Sequence, residues 1–329
     1  MDYQAKGKIM MGIGGIYYVK TVGSHVDGRL LPCRARGKFR HEGITPLVGD
    51  NVEIVYNDRT VASLDSGLTE KPEATEVMIA EIIDRRNALI RPPLANLDIL
   101  FVSMASASPA PDLPTVDKLI SVAEYNGIEP VIVIGKNDLN VENAEKIQKI
   151  YRGAGFTVFS LSAKDGEGLS GLVGYLQERL AGKIAAFAGA SGVGKSSLMN
   201  RLFPERHLET GAVSEKTERG RNTTRHVELF EYDTEKGVGY IADTPGFSLL
   251  DFVRFDFFGK DDLPKTLREF RPYLGKCRYK KCTHTKEEGC AILDALRHEE
   301  IARSRHESFL AMYSALKDKP DWNKGKAEK

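Results

Sequence analysis

The chain has 329 residues, with 47 Lys and Arg against 46 Asp and Glu. A net charge of +1 does not mark a nucleic-acid binder as a whole, so basic patches must be sought locally. Hydrophobic residues at 41% and charged residues at 28% fit a globular chain long enough for two or three domains, no apolar run approaches the ~20 residues of a membrane span, and no signal-peptide stretch opens the sequence, which predicts a cytoplasmic protein without membrane association.

Residues 1–82 read as short strands at 14–19, 29–36, 51–56 and 59–64, separated by glycine and polar turns, the pattern of a small β-barrel. Arg34, Arg36, Lys38 and Arg40 occupy every second position. On an extended strand all four project from one face, beside Phe39 and His41, as a strip suited to an RNA backbone. A solvated strand face is the equally weighted alternative. Cys33 reads as a small buried apolar residue.

From Asp84 the pattern changes. Residues 98–104 and 129–134 are continuous apolar runs of the kind buried on both faces of a sheet. Helical periodicity occupies 115–126, with Val116, Leu119, Ile120 and Ala123 on one side, and a further helix is expected over 141–153 before a strand at 157–161. Alternating strands and helices imply a doubly wound parallel sheet whose loops gather at the strand C-termini. Two such loops, Gly135-Lys136-Asn137-Asp138 and Ser162-Ala163-Lys164, resemble the guanine-specificity elements of GTPases. That resemblance implies that Lys136 lies along the base, that Asp138 binds its N1 and N2 edge, and that the Ala163 N–H reaches O6. Gly135 stands where those enzymes carry asparagine or threonine, which removes one side-chain tether between the base and phosphate loops.

An apolar strand at 184–188 leads into Gly189-Ala190-Ser191-Gly192-Val193-Gly194-Lys195-Ser196 and then a helix that opens with Ser197. Glycines let successive backbone N–H groups turn inward, and the helix N-terminus adds positive potential, so a polyphosphate is cradled. Lys195 reaches the β- and γ-phosphates in this reading, and the Ser196 hydroxyl is a Mg²⁺ ligand. The base loops precede the phosphate loop, the reverse of the usual GTPase order, as a circular permutation would leave them.

A polar stretch over 204–226 contains Asn222, Thr223, Thr224 and His226. A threonine here binds Mg²⁺ and senses the γ-phosphate, Thr224 being the first choice and Thr223 the second. A strand at 238–242 ends in Asp243-Thr244-Pro245-Gly246, which resembles the D-x-P-G element of GTPases. By that resemblance Asp243 holds Mg²⁺ through water and the Gly246 N–H contacts the γ-phosphate. Lys195, Thr224 and Gly246 are therefore the candidate catalytic groups. Phe247 follows where Ras-like enzymes place a glutamine; an apolar side chain cannot orient water, so intrinsic hydrolysis is expected to be slow and completed by a partner.

Near the C-terminus, Cys277, Cys282, His284 and Cys290 supply three thiolates and one imidazole within a short loop, the closed donor set of a structural Zn²⁺ rather than a catalytic one. Lys276, Arg278, Lys280 and Lys281 interleave with Tyr279 as an RNA-facing patch. Helices are expected over 262–274 and 291–316, followed by a frayed tail over 318–329.

The whole chain resembles the small-subunit-dependent GTPases of the RsgA/YjeQ family. Arg36-Gly37-Lys38-Phe39-Arg40, Pro46-Leu47-Val48-Gly49-Asp50 and Asn87-x2-Ile90-Arg91-Pro92 add to the motifs already named. The resemblance implies an OB-fold barrel over 1–82, a circularly permuted α/β P-loop GTPase over 83–254 and a helical zinc-knuckle domain over 255–329. It also implies GTP hydrolysis stimulated by the 30S ribosomal subunit and a role in late maturation of that subunit. The expected partners are then the 30S subunit and 16S rRNA, met by the basic residues Arg34, Arg36, Lys38, Arg40, Lys280 and Lys281, together with other small-subunit assembly factors, and the expected state is a monomer. Asn222 replaces the histidine usual before the switch threonines. Two rival classes are a P-loop ATPase or small-molecule kinase, which would lack the Asp138-type guanine selection, and a nucleotide-gated RNA-binding factor with little turnover, which Asn222 and Phe247 favour.

Overall fold

The computed structural model describes residues 2–57, 77–89, 92–205, 227–243 and 258–317. They fall into two units, one drawn from 1–99, 175–187 and 216–247 and the other from 100–174, 188–215 and 248–329.

In the first unit, strands β1 (Asp2–Ile13), β2 (Ile16–Val22), β3 (Leu30–Ala35), β4 (Asn51–Asn57) and β5 (Met78–Ile82) form a closed barrel. β1 pairs antiparallel with β2 and β4, β3 pairs with β2 and β5, and β4 with β5, so no strand of the five keeps a free edge. Ile9, Val19, Leu31, Val52, Ile54 and Ile79 alternate inward and are fully buried. Gly14 and Gly15, expected inside a strand, instead make the two-residue hairpin turn, both at positive φ. β1 escaped the sequence reading because its lysines and glycines obscure the alternation. Gly7 is required there: a Cβ would lie 2.6 Å from the Lys20 carbonyl oxygen of β2. The strand expected at 59–64 lies outside the described residues.

The basic strip is corrected. β3 ends at Ala35, and Gly37–His41 forms a short helix, α1. Residues two apart on a helix point about 200° apart, so Lys38 and Arg40 do not continue a strand face with Arg34 and Arg36. All four cations are exposed, but Phe39 is 4% exposed and anchors the turn rather than facing solvent. Beside the barrel, the Arg85 guanidinium donates Nε to Asp50 Oδ1 and Nη2 to Oδ2, both at 2.7 Å, satisfying a fully buried carboxylate. Gly49, at φ +89°, leaves no room for a Cβ against the Ala95 carbonyl oxygen, 2.3 Å away. These contacts explain the Val48-Gly49-Asp50 run. A small hairpin, β6 (Ala88–Leu89) and β7 (Leu94–Ala95), follows. The unit also contains the antiparallel pair β12 (Glu228–Thr234) and β13 (Gly237–Asp243), with β13 parallel to the start of β11 (Ile184–Gly189). β12 was not foreseen.

The second unit carries β8 (Ile99–Ala105), β9 (Glu129–Gly135) and β10 (Thr157–Ser160) in the order β10–β9–β8. Every residue of β8 is buried, as its continuous apolar run requires. Helices α2 (Leu113–Tyr125) and α3 (Val141–Gly153) lie where periodicity places them, each begun by a side-chain cap, Asp112 and Asn140. Helix α4 (Leu169–Arg179) precedes β11, and α5 (Lys195–Leu202) follows the glycine-rich turn.

The C-terminal segment departs from its two expected helices. Leu263–Thr266 and Arg268–Tyr273 are 3₁₀ turns. Pro272 lacks the N–H that an α-helix continuing through it would use, whereas Pro264 lies in a first turn. The second stretch is broken into α6 (Ala291–Arg297) and α7 (Arg303–Lys317), with Glu299 at positive φ between them. Leu263, Leu267, Phe270, Ile292, Ile301 and Phe309 form the core of this segment. Arg305 of α7, 1% exposed, forks onto Glu269 and also donates to Asp117 of α2, which accepts from the Tyr151 hydroxyl at 2.8 Å. The tail over 318–329 lies outside the described residues.

Candidate nucleotide site and metal centre

The glycine-rich turn between β11 and α5 uses its glycines as steric necessities. Gly189, Gly192 and Gly194 have φ of +155°, +78° and +103°. A Cβ at Gly189 would sit 2.1 Å from the Ser103 carbonyl oxygen of β8. Lys195 bends back over the turn, its Nζ donating to Gly189 O at 2.7 Å and Ala190 O at 2.8 Å. Burial pulls its ammonium down to about 8. Such a lysine gains strongly from an incoming anion.

The residues of both base loops reach the same cavity, about 250 Å³ in volume. Val193, Gly194, Lys195 and Ser197 line it from the phosphate loop. Gly135, Lys136 and Asp138 line it from the end of β9, and Ser162, Ala163 and Lys164 from the loop after β10. Asn137 is buried behind them, and Gly189, Ala190, Ser191, Gly192 and Ser196 are not among the lining residues. Lys136 is left-handed at φ +55°; its carbonyl accepts from Ser106 Oγ, and its Nζ donates to Ser108 O at 2.7 Å. Asp138 is exposed. Sequence reasoning missed Ser103, Val133, Leu139, Leu161 and Leu198 in the lining. Val133, Leu161 and Leu198 read in the sequence as ordinary core, while Ser103 of β8 and the exposed Leu139 carry no signal of their own.

Gly135 has a packing role beside the loss of a tether. Its missing Cβ would be 2.9 Å from Val193 O of the phosphate loop, so the two loops approach backbone to backbone. Asp243 ends β13 in the other unit. Asn222, Thr223, Thr224, His226, Thr244, Pro245, Gly246 and Phe247 lie outside the described residues.

The cysteine cluster assembles as its spacing predicts. One donor atom from each of Cys277, Cys282, His284 and Cys290 lies within 4.8 Å of the others. Cys277 Sγ is 3.9 Å from Cys290 Sγ, and each of those sulfurs is 3.5 Å from His284 Nδ1. A tetrahedral Zn²⁺ with bonds of about 2.3 Å to sulfur separates its ligands by about 3.8 Å, close to the Cys277–Cys290 separation, so this donor set suits a closed site. His284 is left-handed at φ +59°, and its carbonyl lies 2.9 Å from His306 Nε2 of α7, which ties the loop to the helical core. The Glu287 carboxyl, opposed by burial but accepting from Thr283, Lys286 and Thr285 donors, is held at about 2 and closes the turn between the ligands. Arg278, Tyr279, Lys280 and Lys281 are exposed, with the Arg278 guanidinium 5.7 Å from the Tyr279 ring centre.

A parallel sheet with base loops ahead of its phosphate loop, joined in one chain to a five-stranded barrel, defines a circularly permuted P-loop GTPase. Residues 82–253 match the model of the RsgA GTPase domain, and residues 6–63 match that of the RsgA N-terminal domain. Among relatives, the small ribosomal subunit biogenesis GTPase RsgA of Ruminiclostridium cellulolyticum is 37% identical over 98% of this chain and 97% of its own length, and that of Clostridium beijerinckii is 40% identical over 92% and 94%. Solved structures agree: YjeQ from Thermotoga maritima superposes with a TM-score of 0.76 at 28% identity, covering 97% of this chain and 100% of its own, and YloQ, a circularly permuted GTPase, with 0.71 at 32%, covering 97% of each. The chain belongs to the RsgA GTPase family.

Proposed function

We propose that this protein hydrolyses GTP in step with late maturation of the small ribosomal subunit, binding 30S particles and 16S rRNA in its GTP state and leaving after hydrolysis. The observation that carries the reading is a single cavity lined at once by Lys195, Asp138 and Ala163. Lys195 neutralises the β- and γ-phosphates. Asp138 accepts from the guanine N1 and N2 donors, where adenine would leave a carboxylate unmatched. The Ala163 N–H donates to O6. Ser196, Thr224 and Asp243 offer oxygen donors that suit Mg²⁺, which when bound neutralises charge on the β- and γ-phosphates. Gly246 supplies a backbone N–H for the γ-phosphate. Phe247 carries no group able to orient the attacking water, and Asn222 stands where the family carries a histidine, so the ribosomal particle completes the site.

The cation held by Cys277, Cys282, His284 and Cys290 is Zn²⁺ in this reading, with a structural role. The division 1–82, 83–254 and 255–329 assigns one task to each part: RNA contact through Arg34, Arg36, Lys38 and Arg40, nucleotide turnover, and RNA contact through Lys280 and Lys281. Further assembly factors join at the same particle, and the protein works as a cytoplasmic monomer. Among the described residues no helix is long and apolar enough to cross a membrane.

The test is phosphate release from GTP with and without small subunits. Stimulation by 30S and not by 50S particles is expected. Tight GTP-dependent 30S binding without stimulation would replace turnover by nucleotide-gated binding, the alternative favoured by Asn222 and Phe247.

A further inference from the structure

One side chain that no motif contains ties the loop Ser162-Ala163-Lys164 to the phosphate-loop helix. Arg201 is on the last turn of α5, the helix begun by Lys195. Its Nε donates to Ala163 O at 2.8 Å, and its Nη2 donates to Lys164 O at 2.6 Å. These two carbonyls belong to the peptide groups that follow Ala163 and Lys164. A planar guanidinium with two donors on successive carbonyls sets both the position and the tilt of that backbone. Among the described residues the Ala163 N–H has no acceptor, so it remains available to the cavity it lines. On the other side of the cavity, Gly135 contributes no side chain, and the 2.9 Å approach of its absent Cβ to Val193 O leaves none room.

We propose that Arg201 is the positioning residue for guanine O6 recognition: it clamps the loop Ser162-Ala163-Lys164 to the phosphate-loop helix and so holds the Ala163 N–H at the base, the task that Gly135 cannot perform from the other loop. The inference rests on the guanine-site reading above. Phosphate binding and base reading are then joined through α5, since displacing the helix displaces the O6 donor.

The experiment measures affinities of the full-length protein for GTP and for 2-aminopurine riboside triphosphate, which keeps the N2 amino donor toward Asp138 but lacks O6 and, with it, the N1 proton. Arg201→Ala should weaken GTP binding about fivefold, the size of one lost hydrogen bond to a base, and leave the analogue unchanged. Arg201→Lys, able to reach only one of the two carbonyls, should fall between. Gly135→Asn in the Arg201→Ala background should not restore GTP affinity. Equal loss of GTP and analogue on Arg201→Ala would show that the arginine supports the phosphate loop generally and would overturn the proposal, as would no loss of either. Wild-type protein that bound GTP no better than the analogue and ATP would overturn the guanine reading itself, and this inference with it.

Discussion

Lys195 shows how far one side chain's surroundings shape the nucleotide site. Unliganded, it is charged at neutral pH only against the cost of burial, which brings its ammonium to about 8. The unfolded chain holds that proton up to about 10.5, so between those values the unfolded state binds more protons and the unliganded protein gains stability as pH rises. A polyphosphate favours the charged form. Binding must therefore take up a proton at pH 8 and above, and affinity should fall about tenfold per unit as pH rises beyond 8. Calorimetry of GDP binding in buffers of different ionisation enthalpy reads the proton directly; a pH-independent affinity between 7 and about 9.5 would contradict the assignment. Asp138 supports a second residue-scale prediction. In Asp138→Asn the amide donates where the carboxylate accepted, which suits the xanthine carbonyl and opposes the guanine amino group. GTP affinity should drop about 100-fold while xanthosine triphosphate becomes the better ligand, measured by competition with a fluorescent nucleotide.

Two short elements depend on exact backbone approach or on ligand count rather than on apolar area. The phosphate-loop turn admits no Cβ at Gly189, where the Ser103 carbonyl oxygen would be 2.1 Å away. Gly189→Ala should cost about 2–3 kcal/mol of stability in urea unfolding, with loss of GDP binding, since backbone cannot yield as a side-chain end can. The loop over 277–290 gathers four potential metal ligands and is tied down by the Glu287 turn and the His306 contact. Chelation at neutral pH should release one Zn²⁺ per chain, make the thiols of Cys277, Cys282 and Cys290 reactive together, and lower the melting temperature; cysteines that react identically before and after chelation would count against the metal. The motifs of both elements were legible because their chemistry restricts residue type at fixed spacing. The strand reading of 34–40 was not secure, because alternate basic residues satisfy a strand face and an exposed helical turn alike. The end of β3 at Ala35 and the helical backbone of Gly37–His41 decide between them.

Across the larger unit, Arg305 joins positions far apart in the chain, Asp117 of α2 and Glu269 of the second 3₁₀ turn. Removing one member leaves charge buried without a partner. Arg305→Met should destabilise the protein by about 3–5 kcal/mol in urea, whereas replacing Arg305, Asp117 and Glu269 together by apolar residues should recover most of that loss. Nothing in the sequence marked Arg305, since its partners are 188 and 36 residues away and an arginine in an amphipathic helix ordinarily faces water. The sequence by itself determined the doubly wound strand and helix alternation, the order of base loops before phosphate loop, and the Cys3His ligand set. Each of these is written in local periodicity or in residue types that one chemistry demands. Tertiary structure alone decided that β1 pairs on both edges to close the barrel, that Gly135 and Val193 meet backbone to backbone, that Arg201 bonds the carbonyls of Ala163 and Lys164, and that Arg305 is buried. Those outcomes depend on which backbones come within a few ångströms of one another, and a side chain's partner across the fold leaves no mark at its own position in the chain.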